Sequence, residues 1–182
     1  MVRGMTLAFA FALVVGLVGA RAEDDKKDKK DKAFDDATFV KMAASSGMEE
    51  VEVSKIAVDK AKNAEVKRFA ERMLRDHGKT TGELKGMLGQ LQGVSAQQMP
   101  TGLDQQHQAL LQQLQGAQQG AEFDRVFAQQ QLQSHQAAVE LFRAYAQSGD
   151  DARLKQWASQ TLPSLEEHLR EAQQLLQPAT RG

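Results

Sequence analysis

Apolar side chains recur every three or four residues along four long segments of the chain, and this spacing constrains the fold more than any other feature. It places the apolar side chains of each segment on one face of an α-helix. We predict that the first helix begins at Asp36, the second after a cap at Asn63, the third near Phe123 and the fourth after a turn and cap at Ser148–Asp150. The four predicted faces are formed, in chain order, by Phe39, Met42, Ala43, Ser46, Glu50, Val53, Ile56 and Ala57; by Val66, Phe69, Ala70, Met73, His77, Thr81, Leu84 and Leu88; by Phe123, Phe127, Gln131, His135, Ala138, Phe142 and Tyr145; and by Leu154, Trp157, Ala158, Thr161, Leu165, His168, Ala172 and Leu176.

A long connection, from about Gly93 to Gly120, separates the second predicted helix from the third. Its own short apolar pattern consists of Leu103, Leu110, Leu111 and Leu114. A helical hairpin needs only a few connecting residues, so a connection that contains a short helix favours a crossover along a bundle. Residues 66–70 and 154–158 also have similar sequences, which indicates two similar halves. We therefore predict an all-α fold, a ferritin-like antiparallel four-helix bundle of two helical hairpins joined by a long crossover with a short helix, and a kink at Pro163.

The first 22 residues precede the predicted bundle and have the order of a secretory signal peptide. Arg3 begins the segment, an apolar run extends from Met5 to Val18, and Ala20 and Ala22 form a small-residue cleavage site. The run is shorter than the roughly 20 residues that span a bilayer, so cleavage is favoured over an uncleaved anchor. Residues 23–33 carry dense mixed charge without a large apolar side chain, which predicts a disordered spacer. The predicted bundle domain is residues 34–177, with a flexible C-terminus at 178–182, in a protein exported to the periplasm or the medium.

Charge and cysteine content narrow the classes of partner. Cleavage after Ala22 would leave 21 basic and 24 acidic residues, a net charge of −3, without the basic stripe that phosphate binding requires. We therefore expect no nucleic acid partner. The chain has no cysteine, so its core alone must stabilise it, and no segment after the signal peptide is apolar enough for a transmembrane helix. The sequence leaves the partner unknown and a homo-oligomer open.

Three of the four histidines interrupt apolar faces, each on a different predicted helix: His77, His135 and His168. Glu50 interrupts the face of the first helix in the same way. Glu50 and His77 lie 13 and 14 residues from Asn63, and therefore at nearly the same height in an antiparallel pair. His135 and His168 are offset by about five residues relative to their turn, or roughly 7 Å along straight helices.

These inward polar groups need partners, because an unpaired buried polar group costs about 1–3 kcal/mol. Hydrogen bonds within the core would satisfy them. One transition-metal ion bound by Glu50 and the three histidines would also do so, with Asp76 and Asp124 as outer hydrogen-bond partners. A carboxylate-bridged di-iron centre is disfavoured, because such bundles use Glu-x-x-His pairs and a leucine stands three residues before each histidine here. A mononuclear zinc, copper or iron site remains.

Methionines near these positions would suit copper. Met73 is four residues before His77 and therefore its neighbour on one helix face, and Met42 and Met48 lie on the facing helix. Methionine at helical spacing also fills ordinary cores, so both interpretations stay open. The remaining histidine, His107, lies in the connection, and we assign it no role.

Several short motifs in combination resemble one bacterial family. They are Phe39–Val40, Ala43–Ala44, Gly47–Val51, Val66–Ala70 with Met73, Asp76–His77, Phe123–Asp124, His135, and Leu162–Pro163 followed by His168. Together they resemble the secreted proteins of the domain of unknown function 4142 family, over about residues 34–177. The resemblance implies a ferritin-like bundle outside the cytoplasm and implies no activity.

No complete catalytic set accompanies these features. The chain has no cysteine nucleophile, no Gly-rich phosphate loop and no Gly-x-Ser-x-Gly motif, and Glu166-Glu167-His168 lacks the second histidine of a zinc protease motif. We therefore predict a binding or envelope-stress role without catalysis. The alternative is a metal-binding bundle with redox activity, and lipid association is a third hypothesis.

Overall fold

Five α-helices make up most of the part of the chain that the computed structural model describes, residues 35–91, 94–95, 97 and 99–177. They are α1 (Asp36–Lys60), α2 (Ala64–Met87), α3 (Gln105–Gly116), α4 (Ala121–Ser148) and α5 (Ala152–Leu175), with a 3₁₀ turn at Leu88–Gln90 after α2. These ranges contain no β-strand, and the predicted all-α class is confirmed. The predicted signal peptide (1–22), spacer (23–33) and C-terminal segment (178–182) lie outside the described residues.

Short polar side chains fix where four of the helices begin. The side chains of Asp35, Asn63, Asp104 and Asp151 each accept a hydrogen bond from a backbone N–H in the first turn, at 2.7–3.0 Å. Such caps satisfy donors that have no partner within the helix. The cap of α2 is the predicted Asn63, whereas α5 is capped by Asp151, one residue beyond the predicted turn. The helix α5 runs through Pro163 without ending, and the predicted kink there stays a prediction.

The long helices pack in pairs that follow the chain. The α1 helix packs along α2 and α4 packs along α5, α1 also contacts α4, and α2 contacts α5. The short helix α3 contacts α1 and α4 within the long connection. Asp124 joins the start of α4 to the α1–α2 turn, because its carboxylate accepts hydrogen bonds from the N–H groups of Lys62 (3.2 Å) and Asn63 (2.9 Å). No described helix is both long enough and apolar enough to cross a membrane.

Two separate clusters of buried apolar side chains stabilise this packing. One contains Phe39, Tyr145 and Trp157, with the Phe39 and Tyr145 rings stacked at 3.8 Å. The other contains Phe69 and Phe127. On each long helix, inward polar residues lie between the stretches that contribute to the two clusters. We call these residues the polar layer: Glu49, Glu50, His77, Gln131, His135 and His168.

The predicted faces of α4 and α5 agree with the buried residues, but the face of α1 does not. Met42, predicted to face inward, is 42% exposed, whereas Glu49 and Ser54 are fully buried. The difference arises because α1 contacts three helices, α2, α3 and α4, so its buried surface is wider than a single stripe. The prediction that Met42 lies on the inward face is therefore wrong.

Alanine substitutions at two glycines near the α1–α2 contact should have opposite effects on stability, because one glycine is crowded and the other is not. A Cβ at Gly47 would lie 2.7 Å from Oγ1 of Thr81, whereas a Cβ at Gly82 would meet nothing within 4 Å. We expect Gly47→Ala to destabilise the protein by about 1–3 kcal/mol through overpacking. Gly82→Ala should stabilise it by roughly 0.5–1 kcal/mol, because alanine restricts the unfolded chain. Urea unfolding of the two variants measures both values, and a loss of stability of equal size in both would contradict the prediction.

Candidate metal centre

The structure brings together three of the four predicted ligands. His77 on α2, His135 on α4 and His168 on α5 each offer a ring nitrogen, and these three atoms lie within 4.8 Å of one another. The residues are 6%, 1% and 2% exposed. Three imidazoles from three helices therefore converge inside the polar layer.

The distance between two of these nitrogens is that of neighbouring metal ligands. Nε2 of His77 lies 3.3 Å from Nε2 of His135. Two nitrogens each about 2.0–2.1 Å from one tetrahedral ion are separated by about 3.3–3.4 Å. The same distance permits a weak hydrogen bond between the rings, so it fits a metal pair without requiring one.

The neighbours of two histidines determine which ring nitrogen carries the free lone pair. Nδ1 of His135 lies 2.9 Å from the backbone oxygen of Gln131, which can only accept, so Nδ1 donates and Nε2 keeps its lone pair. Nε2 of His168 lies 2.9 Å from the Asp76 carboxylate and donates to it, which leaves the lone pair on Nδ1. That Nδ1 atom is buried and has no hydrogen-bond partner among the described residues. Hydrogen bonds of this kind commonly orient histidines that bind metals.

Burial keeps the three imidazoles in the form that binds metals. Desolvation lowers the pKa of His77, and the nearby His135 and His168 lower it further. Desolvation also lowers the pKa of His135 to about 4 and that of His168 below its usual value. All three rings are therefore neutral at pH 7, and a neutral imidazole is the ligand that metals require.

Asp76 connects this centre to a cluster of charges on the protein surface. Besides the bond from His168, its Oδ2 atom accepts a bond from Nε of Arg72 at 3.2 Å. Arg72 also donates to Glu167 at 2.8 Å and to Glu171. The guanidinium thus joins α2 to α5 and donates a hydrogen bond to Asp76, whose role as an outer partner of a metal site stays a prediction.

The other two predicted site residues lie elsewhere. Oε1 of Glu50 is 3.8 Å from Nδ1 of His135. The nitrogen of His135 that faces His77 is the other one, Nε2. Asp124 binds the α1–α2 turn and is not brought to the histidines. The geometry thus supports three nitrogen ligands, with Asp76 behind His168 and Glu50 behind His135.

A groove leads from the protein surface to the histidines. It has a volume of about 280 Å³, lies between α2 and α5, and is lined by polar side chains that include Asp76, Thr161 and Ser164. His77 and His168 both contribute to its wall. The groove therefore brings solvent next to two of the three histidines.

Sequence reasoning missed two features of the polar layer. Glu49 is fully buried beside Glu50, and the amide of Gln131 is fully buried without a hydrogen-bond partner among the described residues. Gln131 was predicted to face inward, but no chemistry was assigned to it. The adjacent acids Glu49 and Glu50 in an otherwise apolar and small-residue stretch are the signal that could have indicated a second polar group.

Comparison with known proteins places the chain in a family and identifies similar folds. A family model described as "Domain of unknown function (DUF4142)" matches residues 20–175. CopM in its Cu(II)-bound form has a TM-score of 0.65 and 23% identity, covering 78% of this chain and 95% of that one. CopM co-crystallised with Ag has a TM-score of 0.65 and 21% identity, and the match covers 81% of this chain and 99% of that one. The "putative secreted protein DUF305 from Streptomyces coelicolor" has a TM-score of 0.61 and 22% identity, and the match covers 76% of this chain and 89% of that one. These likenesses show a shared fold, and no curated protein matches the chain.

Proposed function

The chain belongs to the domain of unknown function 4142 family, whose description names no activity, and from its site we propose that it is a copper-binding helical bundle. The observation that carries the proposal is the convergence of ring nitrogens from His77, His135 and His168 within 4.8 Å inside the core. One copper ion would bind to these three nitrogens. The protein would act by binding copper, without catalysis.

The unpaired lone pair on His168 favours a metal over a purely hydrogen-bonded core. His77 and His135 can satisfy each other, since their Nε2 atoms are 3.3 Å apart. Nδ1 of His168 has no such partner among the described residues, although it is buried. A buried acceptor without a partner is costly, and a metal ion bound by the three rings would remove that cost.

The ligand chemistry supports copper among the transition metals. Imidazole suits zinc, copper, iron and nickel, and a given nitrogen site binds Cu²⁺ most tightly of the common divalent ions. One protein of similar fold, CopM, has structures in Cu(I)-, Cu(II)- and Ag-bound forms, which adds support. Three protein ligands also leave a position for a further ligand, and the groove would give that position access to solvent.

The proposal also covers where the protein acts. We propose that residues 1–22 are cleaved as a signal peptide, that residues 23–33 form a spacer, and that a ferritin-like bundle at residues 34–177 binds copper outside the cytoplasm. Intact mass spectrometry of protein from the periplasm and the medium would test this. A mature chain that starts at Glu23 supports export, and a chain that retains residues 1–22 would contradict it.

Copper binding should raise the melting temperature of the protein. At a free copper concentration 100 times the dissociation constant, binding stabilises the folded state by about 2.7 kcal/mol, which corresponds to a rise in Tm of roughly 5–10 °C for a domain of this size. Calorimetry of untagged protein stripped with EDTA should also give one copper per chain. If copper and zinc leave Tm unchanged, the histidines form a hydrogen-bonded core and the proposal fails.

Asp76 should tune the affinity for copper, because it orients His168. We expect Asp76→Asn to weaken copper binding by about 10–100-fold, as for other hydrogen-bond partners of metal-binding histidines. Asp124→Asn is the matched control, since Asp124 also accepts hydrogen bonds but at the α1–α2 turn. Competition titration with a copper chelator compares the two variants, and equal affinities would exclude this role for Asp76.

A further inference from the structure

A second group of buried polar atoms lies in the polar layer on the side of α1. It comprises both carboxylates of Glu49 and Glu50, the hydroxyl of Ser54 and the side-chain amide of Gln131, and we call it the carboxylate pocket. These four residues are at most 1% exposed. None of these side-chain atoms has a hydrogen bond of normal geometry among the described residues. Because nearly all buried polar groups in proteins are paired, such a group indicates a bound water or ion.

The members of this pocket act on one another and on a shared neighbour. The Ser134 hydroxyl favours the ionised forms of both Glu49 and Glu50, and so lowers the pKa of each carboxyl group. The side chain of Gln131 does the same for Glu50. Ser134 and Gln131 are one turn apart on α4, which packs against α1. Oε1 of Glu50 lies 3.8 Å from Nδ1 of His135, which in turn lies 2.9 Å from the backbone oxygen of Gln131, so the Glu50 carboxylate lies beside this turn of α4.

The two carboxylates have no cation to balance them. Among the described residues neither forms an ion pair with a lysine or arginine. His135 lies 3.8 Å from Glu50, but its Nδ1 hydrogen is donated to the backbone oxygen of Gln131. An uncompensated charge in the interior is costly, so either protons or a cation must neutralise these groups.

We propose that the carboxylate pocket binds one hard divalent cation, of the class of Mn²⁺ and Mg²⁺, through the carboxylates of Glu49 and Glu50 and the Gln131 amide oxygen. Such ions prefer carboxylate, amide and hydroxyl oxygens, whereas copper and zinc prefer the imidazoles on the other side of His135. Two carboxylates and one divalent ion sum to zero charge, which suits a site closed to solvent. This site shares no ligand with the proposed copper centre, although Glu50 lies 3.8 Å from His135.

Asp104 provides an approach for such a cation. It lies at the N-terminus of α3, its side chain is 52% exposed, and its charge raises the pKa of Glu49. An acidic side chain near the surface attracts cations toward the pocket. Asp104 therefore adds a negative charge near Glu49.

Mn²⁺ binding to the full chain, stripped with EDTA, tests the proposal. The free Mn²⁺ signal in electron paramagnetic resonance should fall by one equivalent per chain, and a variant carrying both Glu49→Gln and Glu50→Gln should bind at least about 10-fold more weakly. That double variant should fold, since neutral amides of the same size replace two buried carboxyl groups. Glu52→Gln is the matched control on α1, because the Glu52 side chain is 46% exposed and pairs with Lys55.

The outcomes separate this site from the copper centre. Mn²⁺ binding that persists in His77→Ala and is lost in the double glutamine variant supports the carboxylate pocket, whether or not the protein binds copper. If EDTA-stripped protein binds no Mn²⁺, or binds it equally after both glutamates are replaced, the proposal is wrong. A double variant that is more stable, in a protein that binds no Mn²⁺, would show that the two carboxyl groups are neutralised by protons instead.

Discussion

His135→Ala should lower the affinity of the protein for copper by more than about 100-fold, a larger loss than that expected for an outer hydrogen-bond partner. In the proposed centre His135 is one of the three ligands, with Nε2 facing His77 at 3.3 Å and its other nitrogen held by the Gln131 backbone oxygen at 2.9 Å. Two imidazoles would remain, too few for the three-nitrogen site. Competition with a copper chelator of known affinity measures the loss.

His107→Ala is the matched control for this variant. His107 is the fourth histidine of the chain, lies on α3, and pairs with Asp104 at 2.8 Å away from the centre. The His107→Ala substitution should leave the affinity for copper unchanged. Circular dichroism of both metal-free variants checks that they fold. If the His135→Ala protein does not fold, His77→Ala offers a second variant that removes a proposed ligand. Unchanged copper affinity in folded His135→Ala and His77→Ala proteins would remove the basis of the proposed function.

The sequence predicted the helices well because their stability depends on a local, periodic property. The predicted faces of α4 and α5 are almost entirely buried, and Asn63 caps α2 as expected. The prediction was weaker for α1, since a helix that contacts three neighbours has no single apolar stripe. For that reason Met42 was placed inside and Glu49 was overlooked.

The convergence of His135 and His168 could not be predicted from residue counting alone. Counting from Gly149 gave an offset of about five residues, but the turn between α4 and α5 is centred near residue 150, which reduces the offset to about three residues, or roughly 4.5 Å. Side chains on a helix also tilt toward its N-terminus. In antiparallel helices the His135 side chain therefore tilts away from the turn and that of His168 toward it, and the remaining gap narrows.

Glu50 shows the limit of the same argument. Its height relative to His77 follows from the rise per residue alone, and the equal height expected from counting stays a prediction. The direction of its carboxylate depends on how α1 is rotated against α4, which the sequence pattern does not determine. In the structure that rotation places Glu50 on the Nδ1 side of His135, next to Gln131 and Ser134 rather than among the three lone pairs.

The metal-free protein should be most stable near pH 6.5 and should lose stability in both directions. The pKa of each buried histidine is below its usual 6.5, so the folded state resists protonation, and stability is lost as the pH falls from 6.5 through the folded values, about 4 for His135. The pKa values of Glu49 and Glu50 are above their usual 4.5, so their contribution is present at low pH and lost as the pH rises toward about 8. Above pH 6.5 the effect of the glutamates exceeds that of the histidines, whose unfolded forms have lost nearly all their protons by about pH 7.5, and stability therefore falls.

The alkaline loss can be assigned to one residue by a conservative substitution. One proton is worth about 1.4 kcal/mol per pH unit, so Glu50 alone should cost about 2 kcal/mol between pH 6.5 and 8.0. The histidines oppose this loss by a smaller amount, because in the unfolded chain they are still half protonated at pH 6.5. Urea unfolding in EDTA at the two pH values measures this loss, and Glu50→Gln should reduce it by about that amount. Glu52→Gln should leave it intact, because the Glu52 side chain is half-exposed and pairs with Lys55. A wild-type protein equally stable at both pH values would mean that neither buried carboxyl group holds a proton, and that a positive charge compensates them in the folded state.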